Sequence, residues 1–409
     1  MGRLIIFTGK GGVGKTSIAS ATALASAEEH KKTLLVSTDM AHNLGDIFGI
    51  PSCRGITPVS ENLDLLELNP AELMRKRFSA VQKTVSSLSG NAGLGINNLD
   101  RNFIIPGFEN LFSLLEIKEL YESGSYERII VDSPPTGETL SFLKLPELLA
   151  WYMEKFFPVG KVFIRVLSPV SKLKYGIKLP NRKALNDVEK IHGNLLDLQD
   201  FLKNKDICTV RLVCTPEKMA VEETKRSFMY LNLYGYLVDS LFINRILPGN
   251  TDIPFMENWR SIQEKYIKEL EAVFAGIPVI RAPWYPEEIR GKEAVEKLRR
   301  EVLSAYDLFE VSADISREEY IKCDDGFILR IALPQAENCA LEVLTHSTDI
   351  SIKMNNFIRR IPLPGVLYYS TVARTDFNDG ILDIHLRRKD ADSHSTLARP
   401  EDLQDRETI

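Results

Sequence analysis

The sequence has no two cysteines placed to act together. Cys53, Cys208, Cys214, Cys323 and Cys339 are scattered over 409 residues and form no Cys-x-x-Cys pair. An odd, dispersed set fits a reducing compartment and offers no framework for zinc or an iron–sulfur cluster. There is no run of 18 apolar residues either, so nothing is expected to span a membrane. Positive charge is not in excess, and a net charge of −5 argues against general nucleic-acid binding, though not against a local basic patch. The first strand is read as beginning at Arg3, which leaves no room for a signal or transit peptide. The expected location is therefore cytoplasmic, or an organelle stroma if a transit peptide has been removed. Apolar residues make up 44% and charged residues 26%, enough for ordinary cores in two or three domains.

Glycine is concentrated where it matters. Gly9-Lys10-Gly11-Gly12-Val13-Gly14-Lys15-Thr16 follows the apolar run Leu4-Ile5-Ile6-Phe7 and opens into the Ala-rich segment that starts at Ser17. Strand, glycine loop and helix in that order are the context in which a phosphate-binding loop is credible. Glycines let consecutive N–H groups turn inward, and the helix N-terminus adds partial positive charge. The predicted nucleotide-binding residues are Gly11, Gly12, Val13, Gly14, Lys15, Thr16 and Ser17, with Lys15 on the β- and γ-phosphates and Thr16 on Mg²⁺. The bland alternative is a glycine-rich turn that binds nothing.

Two acids complete the pattern. Lys32–Thr38 reads as a buried strand ending at Asp39, whose carboxylate is placed to orient or deprotonate an attacking water. Arg128–Val131 reads as another, ending at Asp132, placed to hold Mg²⁺ through water. The Pro134-Pro135-Thr136-Gly137 loop behind it is placed to sense a γ-phosphate. A third strand, 63–68, stops at Asn69-Pro70-Ala71-Glu72, a strong helix start. Residues 84–102 look loop-like, and a helix is predicted after Pro106-Gly107. Strands at 208–214 and 240–244 complete the sheet, and 257–276 and 287–306 read as amphipathic helices.

From Lys155 to Lys183 there are eight basic residues and no acidic one, interleaved with Phe156, Phe157, Val162, Phe163, Val166 and Leu167. A basic, strongly apolar segment in an acidic protein suggests a surface for apolar ligands or anionic lipid. The alternative is that these apolar residues pack on the domain core while their lysines face water. After Asp307 the periodicity changes from helix to strand, with short alternating runs at 326–334, 341–344, 349–353 and 357–364. They argue a small β-sandwich over 317–389, joined by a linker at 306–316 and followed by a polar, disordered tail at 390–409.

Lys10 makes the loop resemble that of the dimeric NTPase class that includes the ParA/MinD, nitrogenase iron-protein and arsenical-pump families. The resemblance implies a homodimer in which Lys10 reaches the partner's phosphates. Asp39-x-Ala41-His42-x-Leu44-x-Asp46 and Pro135-Thr136-Gly137-x-Thr139-Leu140 look like the two switch segments of the arsenical-pump ATPase family, which includes the eukaryotic ATPase that targets tail-anchored proteins. Pro216-Glu217-x-Met219, Glu223-Thr224, Asn244 and the run from Ala282 to Gly291 extend the match over about residues 1–305. The resemblance implies an α/β P-loop ATPase of mostly parallel sheet, with a helical client-binding subdomain at 70–125 and 151–205. It also implies that Asn244, Pro283, Trp284, Tyr285 and Pro286 cradle adenine, making ATP the ligand. Met40 and Glu138 depart from the family pattern, and the targeting factor's zinc pair and the pump's clustered thiols are missing. Phe357-x-Arg359-x-Ile361-Pro362-Leu363-Pro364 and Gly380-Ile381-Leu382 make 317–389 resemble the α-crystallin domain of small heat-shock proteins.

The function expected from these residues is a magnesium-dependent homodimeric ATPase that opens and closes a groove for membrane-protein or other apolar clients, a targeting factor or chaperone that meets a membrane surface or receptor transiently. The alternatives are the catalytic subunit of an arsenite or other anion pump, and a holdase acting through its β-sandwich.

Overall fold

The computed structural model describes residues 2–39, 44–50, 55–70, 72–73, 108–150, 182–249, 254–311, 318–323, 326–334, 336, 339–355 and 357–387. The six residues expected to line a client groove, from Phe156 to Leu167, lie outside these, as do Met40 to Asn43 of the first switch segment, Pro106-Gly107 and the tail from 388. The chain divides into two compact units, Met1–Ile315 and Ser316–Ile409.

The first unit is built on β1 (Arg3–Thr8), β2 (Thr33–Ser37), β3 (Thr57–Ser60), β4 (Leu63–Glu67), β5 (Arg128–Asp132), β6 (Cys208–Cys214), β7 (Val238–Ile246) and β8 (Val279–Pro283). They form one sheet in the order β3-β4-β2-β5-β1-β6-β7-β8, parallel except where β3 pairs with β4. The central strands are buried along almost their whole length, which is why β1 and β5 read as apolar runs after their first residue, while β6 carries one buried charge, Arg211. The sheet is wider than the sequence suggested. At the β8 edge only Ile280 and Ala282 are buried, so Val279–Pro283 carries no apolar run to give it away. At the β3 edge Pro58 is tolerated because the strand has one neighbour.

β1 lies between β5 and β6, with the chain winding outward on both sides. A crevice at the carboxyl ends of the strands is the expected binding position in such a sheet. The helix Lys15–Glu28 begins there and packs closely, because Ala19, Ala21, Ala23, Ser20 and Ser26 are small enough to be fully buried. A further helix occupies 136–150, so Thr136 and Gly137, expected in a loop, form its first turn directly after Pro134-Pro135. Helices Phe108–Glu122 and Arg182–Lys203 meet through Tyr121 and Phe201, ring centroids 5.0 Å apart.

Helix ends moved from their expected places for local reasons. The helix read at 257–276 runs Pro254–Val273, beginning on the proline that suits a first turn and ending before left-handed Gly276. The one read at 287–306 starts only at Lys292, because Gly291 at φ 84° holds the preceding residues as a loop. It then closes as a π-turn over Arg299–Leu303.

At the opposite end of the sheet Arg211 and Asp239 form a buried two-bond ion pair at 3.0 and 3.2 Å. Arg211 and Arg3 also donate to the carbonyls of Leu308 and Phe309, and the Arg128 guanidinium lies 3.6 Å from the Phe309 ring centre. The end of the first unit is thus pinned beneath its own sheet.

The second unit is antiparallel throughout. β9 (Glu318–Cys323), β10 (Gly326–Ala332), β14 (Thr371–Asn378) and β15 (Ile381–Arg387) form one sheet, ordered β14-β15-β10-β9; β11 (Leu341–Thr345), β12 (Asp349–Met354) and β13 (Phe357–Pro362) form the other. Leu329, Ile331 and Leu333, with Leu382, Ile384 and Leu386, are buried at every second position. That period of two gives the sheet a single apolar face. Ile350, Ile352 and Met354 supply buried residues from the second sheet. Among the described residues no helix is long and apolar enough to cross a membrane.

Candidate active site

The glycine loop starts where β1 ends. Gly9 accepts the N–H of Thr136, and a Cβ at Gly9 would stand 2.1 Å from the Val213 carbonyl oxygen, so only glycine lets the loop pass β6. Gly14 adopts φ 93° as the N-cap of the helix Lys15–Glu28, and a Cβ there would stand 2.3 Å from Asn244 Nδ2. No side chain caps that helix and its first turn carries no acid. Its N-terminal N–H groups therefore present an anion-binding end.

Lys15 is buried beneath the loop, Nζ 3.4 Å from the Lys10 carbonyl oxygen. Burial lowers its pKa, opposed by the charges of Asp132, Asp39 and Glu223. Thr16 Oγ1 donates to Asp132 Oδ2 at 2.7 Å. Asp132 is 2% exposed, and burial pushes its carboxyl up to about 6; the Thr16 bond and Lys15 pull the other way, and Asp39 adds to the rise. Its Oδ1 is buried with no hydrogen-bond partner among the described residues. An orphaned carboxylate oxygen beside a threonine hydroxyl suits a hydrated hard cation, so Thr16 and Asp132 fit Mg²⁺.

Asp39 is half-buried just beyond β2, its N–H donating to Ser37 Oγ at 3.3 Å. The loop after Asp132 is tied down: Ser133 Oγ donates to the Phe7 carbonyl at 2.6 Å, and Thr139 Oγ1 to that of Pro134 at 2.6 Å. Thr136 donates to Glu223, which joins this loop to the helix Lys218–Leu233. After Asp39, the short helix Leu44–Phe48 is held from outside. One oxygen of Glu67, at the end of β4, accepts the N–H groups of Leu44 at 3.0 Å and Gly45 at 3.2 Å, and the Gly291 N–H donates to the Ile47 carbonyl at 2.7 Å.

Above the loop opens a cavity of about 710 Å³, within the range of small-molecule sites. Gly11, Gly12, Gly14, Lys15, Thr16, Ser17 and Asp39 line it, as expected residues brought together. Val13 is buried, its carbonyl accepting from Asn244 Nδ2 at 2.8 Å, so Asn244 braces the loop from behind. Lys10 and Asp132 are not among the residues that line it, although Asp132 accepts from lining residue Thr16. Pro283, Trp284, Tyr285 and Pro286 lie just upstream of the stretch that lines it, with Trp284 53% exposed and its N–H bonded to the Ile246 carbonyl at 2.8 Å. Lys297 Nζ lies 5.5 Å from the Tyr285 ring centre, and burial, with Glu301 beside it, raises the Tyr285 pKa.

The rest of the wall was not anticipated as a site: Asp46, Ile47, Pro135, Arg245, Glu288, Ile289 and Arg290. Asp46 and Pro135 lie in the two switch-like segments, and 288–290 in the run from Ala282 to Gly291, so the motifs reached them without marking them. Arg245 follows Asn244 and carried no signal of its own.

Comparison with known proteins gives two family matches. Residues 2–304 match the anion-transporting ATPase family, and 324–386 match the HSP20-like domain found in ArsA. An arsenical pump-driving ATPase of Chlorobaculum tepidum is 35% identical over 365 residues, 88% of this chain and 90% of that protein. One from Aquifex aeolicus is 31% identical over 372 residues, covering 88% and 94%. The ATPase GET3 of Phaeosphaeria nodorum is 32% identical over 304 residues, 72% of this chain and 93% of that protein.

Proposed function

Because the chain belongs to the anion-transporting ATPase family and is a P-loop ATP hydrolase, we propose that it works as a homodimer coupling ATP cleavage to the opening and closing of a groove for apolar protein segments. The observation that carries the chemistry is the Thr16–Asp132 pair at 2.7 Å, with an orphaned Asp132 oxygen beside a glycine loop that opens an uncapped helix. In this reading the Gly11–Ser17 backbone and Lys15 hold the triphosphate, and Thr16 and Asp132 hold Mg²⁺. Bound there, the metal would neutralise negative charge on the phosphates.

Asp39 orients the attacking water and takes its proton as the new P–O bond forms. The bond from the γ-phosphorus to the bridging oxygen breaks, and ADP carries that oxygen away. Lys10 serves the phosphates of a second copy. Asn244 holds the loop in shape, and Pro283–Pro286 bound the base. Loss of the γ-phosphate releases the Asp39 segment and the 133–135 loop with the helix that begins at Thr136, and Thr136 passes the change to Glu223 and its helix.

The client side of this reading rests on the basic, apolar composition of 155–183 and on the similarity to proteins named GET3. A spanning helix exposes enough apolar surface that burying a few hundred Å² contributes several kcal/mol, a large share of the about 8 kcal/mol that micromolar holding requires. The test is direct. Asp39→Asn should lower magnesium-dependent ATP hydrolysis by about 10²-fold or more while nucleotide still binds. A cross-linkable peptide of about 20 apolar residues should be captured by the full chain and by a chain lacking 316–409, which leaves the whole first unit in place, and lost on Phe163→Asp. Capture that disappears with 316–409 would favour a holdase acting through the β-sandwich.

A second reading, the soluble catalytic subunit of an anion pump, draws on relatives named for an arsenical pump that match across both units. Arsenite- or antimonite-stimulated turnover would select it.

A further inference from the structure

We propose that Arg245 is a nucleotide-contacting residue, its guanidinium lying against the ribose–purine half of the bound nucleotide. This rests on the ATPase reading above and adds to it a residue that neither the motifs nor the family roles mark. Three observations converge on it. Arg245 is on the wall of the cavity that holds the glycine loop. Among the described residues its side chain has no ion-pair partner. Its backbone sits at φ 61°, a left-handed conformation that an arginine adopts only when its surroundings impose it.

Those surroundings do impose it. The Arg245 N–H donates to Asn244 Oδ1 at 2.9 Å, and the Arg245 carbonyl accepts from Gln263 Nε2 at 3.2 Å. Gln263 is 7% exposed on the helix Pro254–Val273, and its Oε1 accepts the Leu247 N–H at 2.9 Å. Asn244 Nδ2 in turn grips the Val13 carbonyl in the glycine loop. A buried glutamine, a strained arginine and the loop are thus joined by consecutive hydrogen bonds. Local strain held this firmly, with the side chain left unpaired at a cavity, is what a binding group needs and what a structural residue does not.

The chain direction selects the half of the nucleotide. Lys15 and Thr16 occupy the phosphate end. Arg245 leads instead toward Ile246, which pairs with Pro283 and accepts the Trp284 N–H, the side that the ATPase reading above gives to the base. A planar guanidinium there can stack on the purine and donate to ribose oxygens.

The test uses the full-length protein and measures binding of ATP, ADP and inorganic tripolyphosphate by calorimetry. Arg245→Ala should weaken ATP and ADP by a similar factor of about tenfold, leave tripolyphosphate within about twofold, raise KM and leave kcat nearly unchanged. Arg245→Lys should not restore affinity, because an ammonium cannot stack as a plane. Arg245→Gly removes the backbone strain, so it should leave the thermal midpoint of the nucleotide-free protein unchanged or higher while weakening ATP as Ala does. Unchanged ATP affinity in Arg245→Ala, an equal loss for tripolyphosphate, or a lower nucleotide-free midpoint in Arg245→Gly would each overturn the assignment. Failure of the wild-type protein to bind ATP would instead overturn the ATPase reading beneath it.

Discussion

Replacing Glu67 by alanine should slow hydrolysis without loosening nucleotide binding. Glu67 ends β4, paired in register with Ser37 of β2, and one of its oxygens caps the helix that follows Asp39 through two backbone N–H groups. Only four residues separate Asp39 from Leu44, so the cap limits where the Asp39 carboxylate can go. Losing a helix cap costs about 0.5–2 kcal/mol, and a charged acceptor on two donors belongs in the upper part of that range. If about 1–2 kcal/mol of this ordering is needed at the transition state, kcat falls by about 5- to 30-fold. KM should stay within about twofold, because the glycine loop and Asn244 are untouched. Glu67→Gln keeps an acceptor oxygen in the same place and should recover most of the lost rate. Steady-state hydrolysis with a thermal melt of each variant decides the matter. An alanine variant within twofold of wild-type kcat, or a glutamine variant as slow as alanine, would refute the reasoning.

Three further outcomes are expected. Asp239→Ala strands the buried Arg211 guanidinium and should lower stability by about 3–5 kcal/mol in denaturant titration, a far larger effect than at an exposed ion pair. Because the Asp132 carboxyl is raised to about 6 in the fold from an ordinary 3.8, the native state binds the extra proton between those values. Its contribution to the stability of the nucleotide-free protein therefore falls as pH rises from about 4 to about 6, and Asp132→Asn should flatten that part of the stability–pH curve. Burial pushes the thiols of Cys208 and Cys214 up to about 12, so peptide mapping after mild alkylation should find both unmodified until the protein is unfolded.

What was legible from sequence was what is local. The glycine loop announces itself because eight consecutive residues, the strand before them and the helix after them must agree for the backbone to turn. Asp132 and Asp39 were visible as acids ending apolar strands. In the second unit β10 to β13 showed as short alternating runs, whereas β9 and β14, half of the four-stranded sheet, were not read. β8 escaped because an edge strand buries only alternate residues, and the helix at 292 was placed too early because Gly291 sets its start by a dihedral angle that no periodicity reports.

The sequence by itself determined the elements at the centre: the glycine loop, the acids that end the strands beside it, and the family to which the chain belongs. The tertiary structure alone decided what surrounds that centre. Glu67, Gln263 and Arg245 owe their positions to strands and helices that meet only after folding. The Gln263–Arg245–Asn244–Val13 relay joins residues up to 250 positions apart through hydrogen bonds that leave no periodic trace in the chain. Spacing along a sequence encodes which face of an element is apolar; which elements share a face of the cavity is fixed by packing.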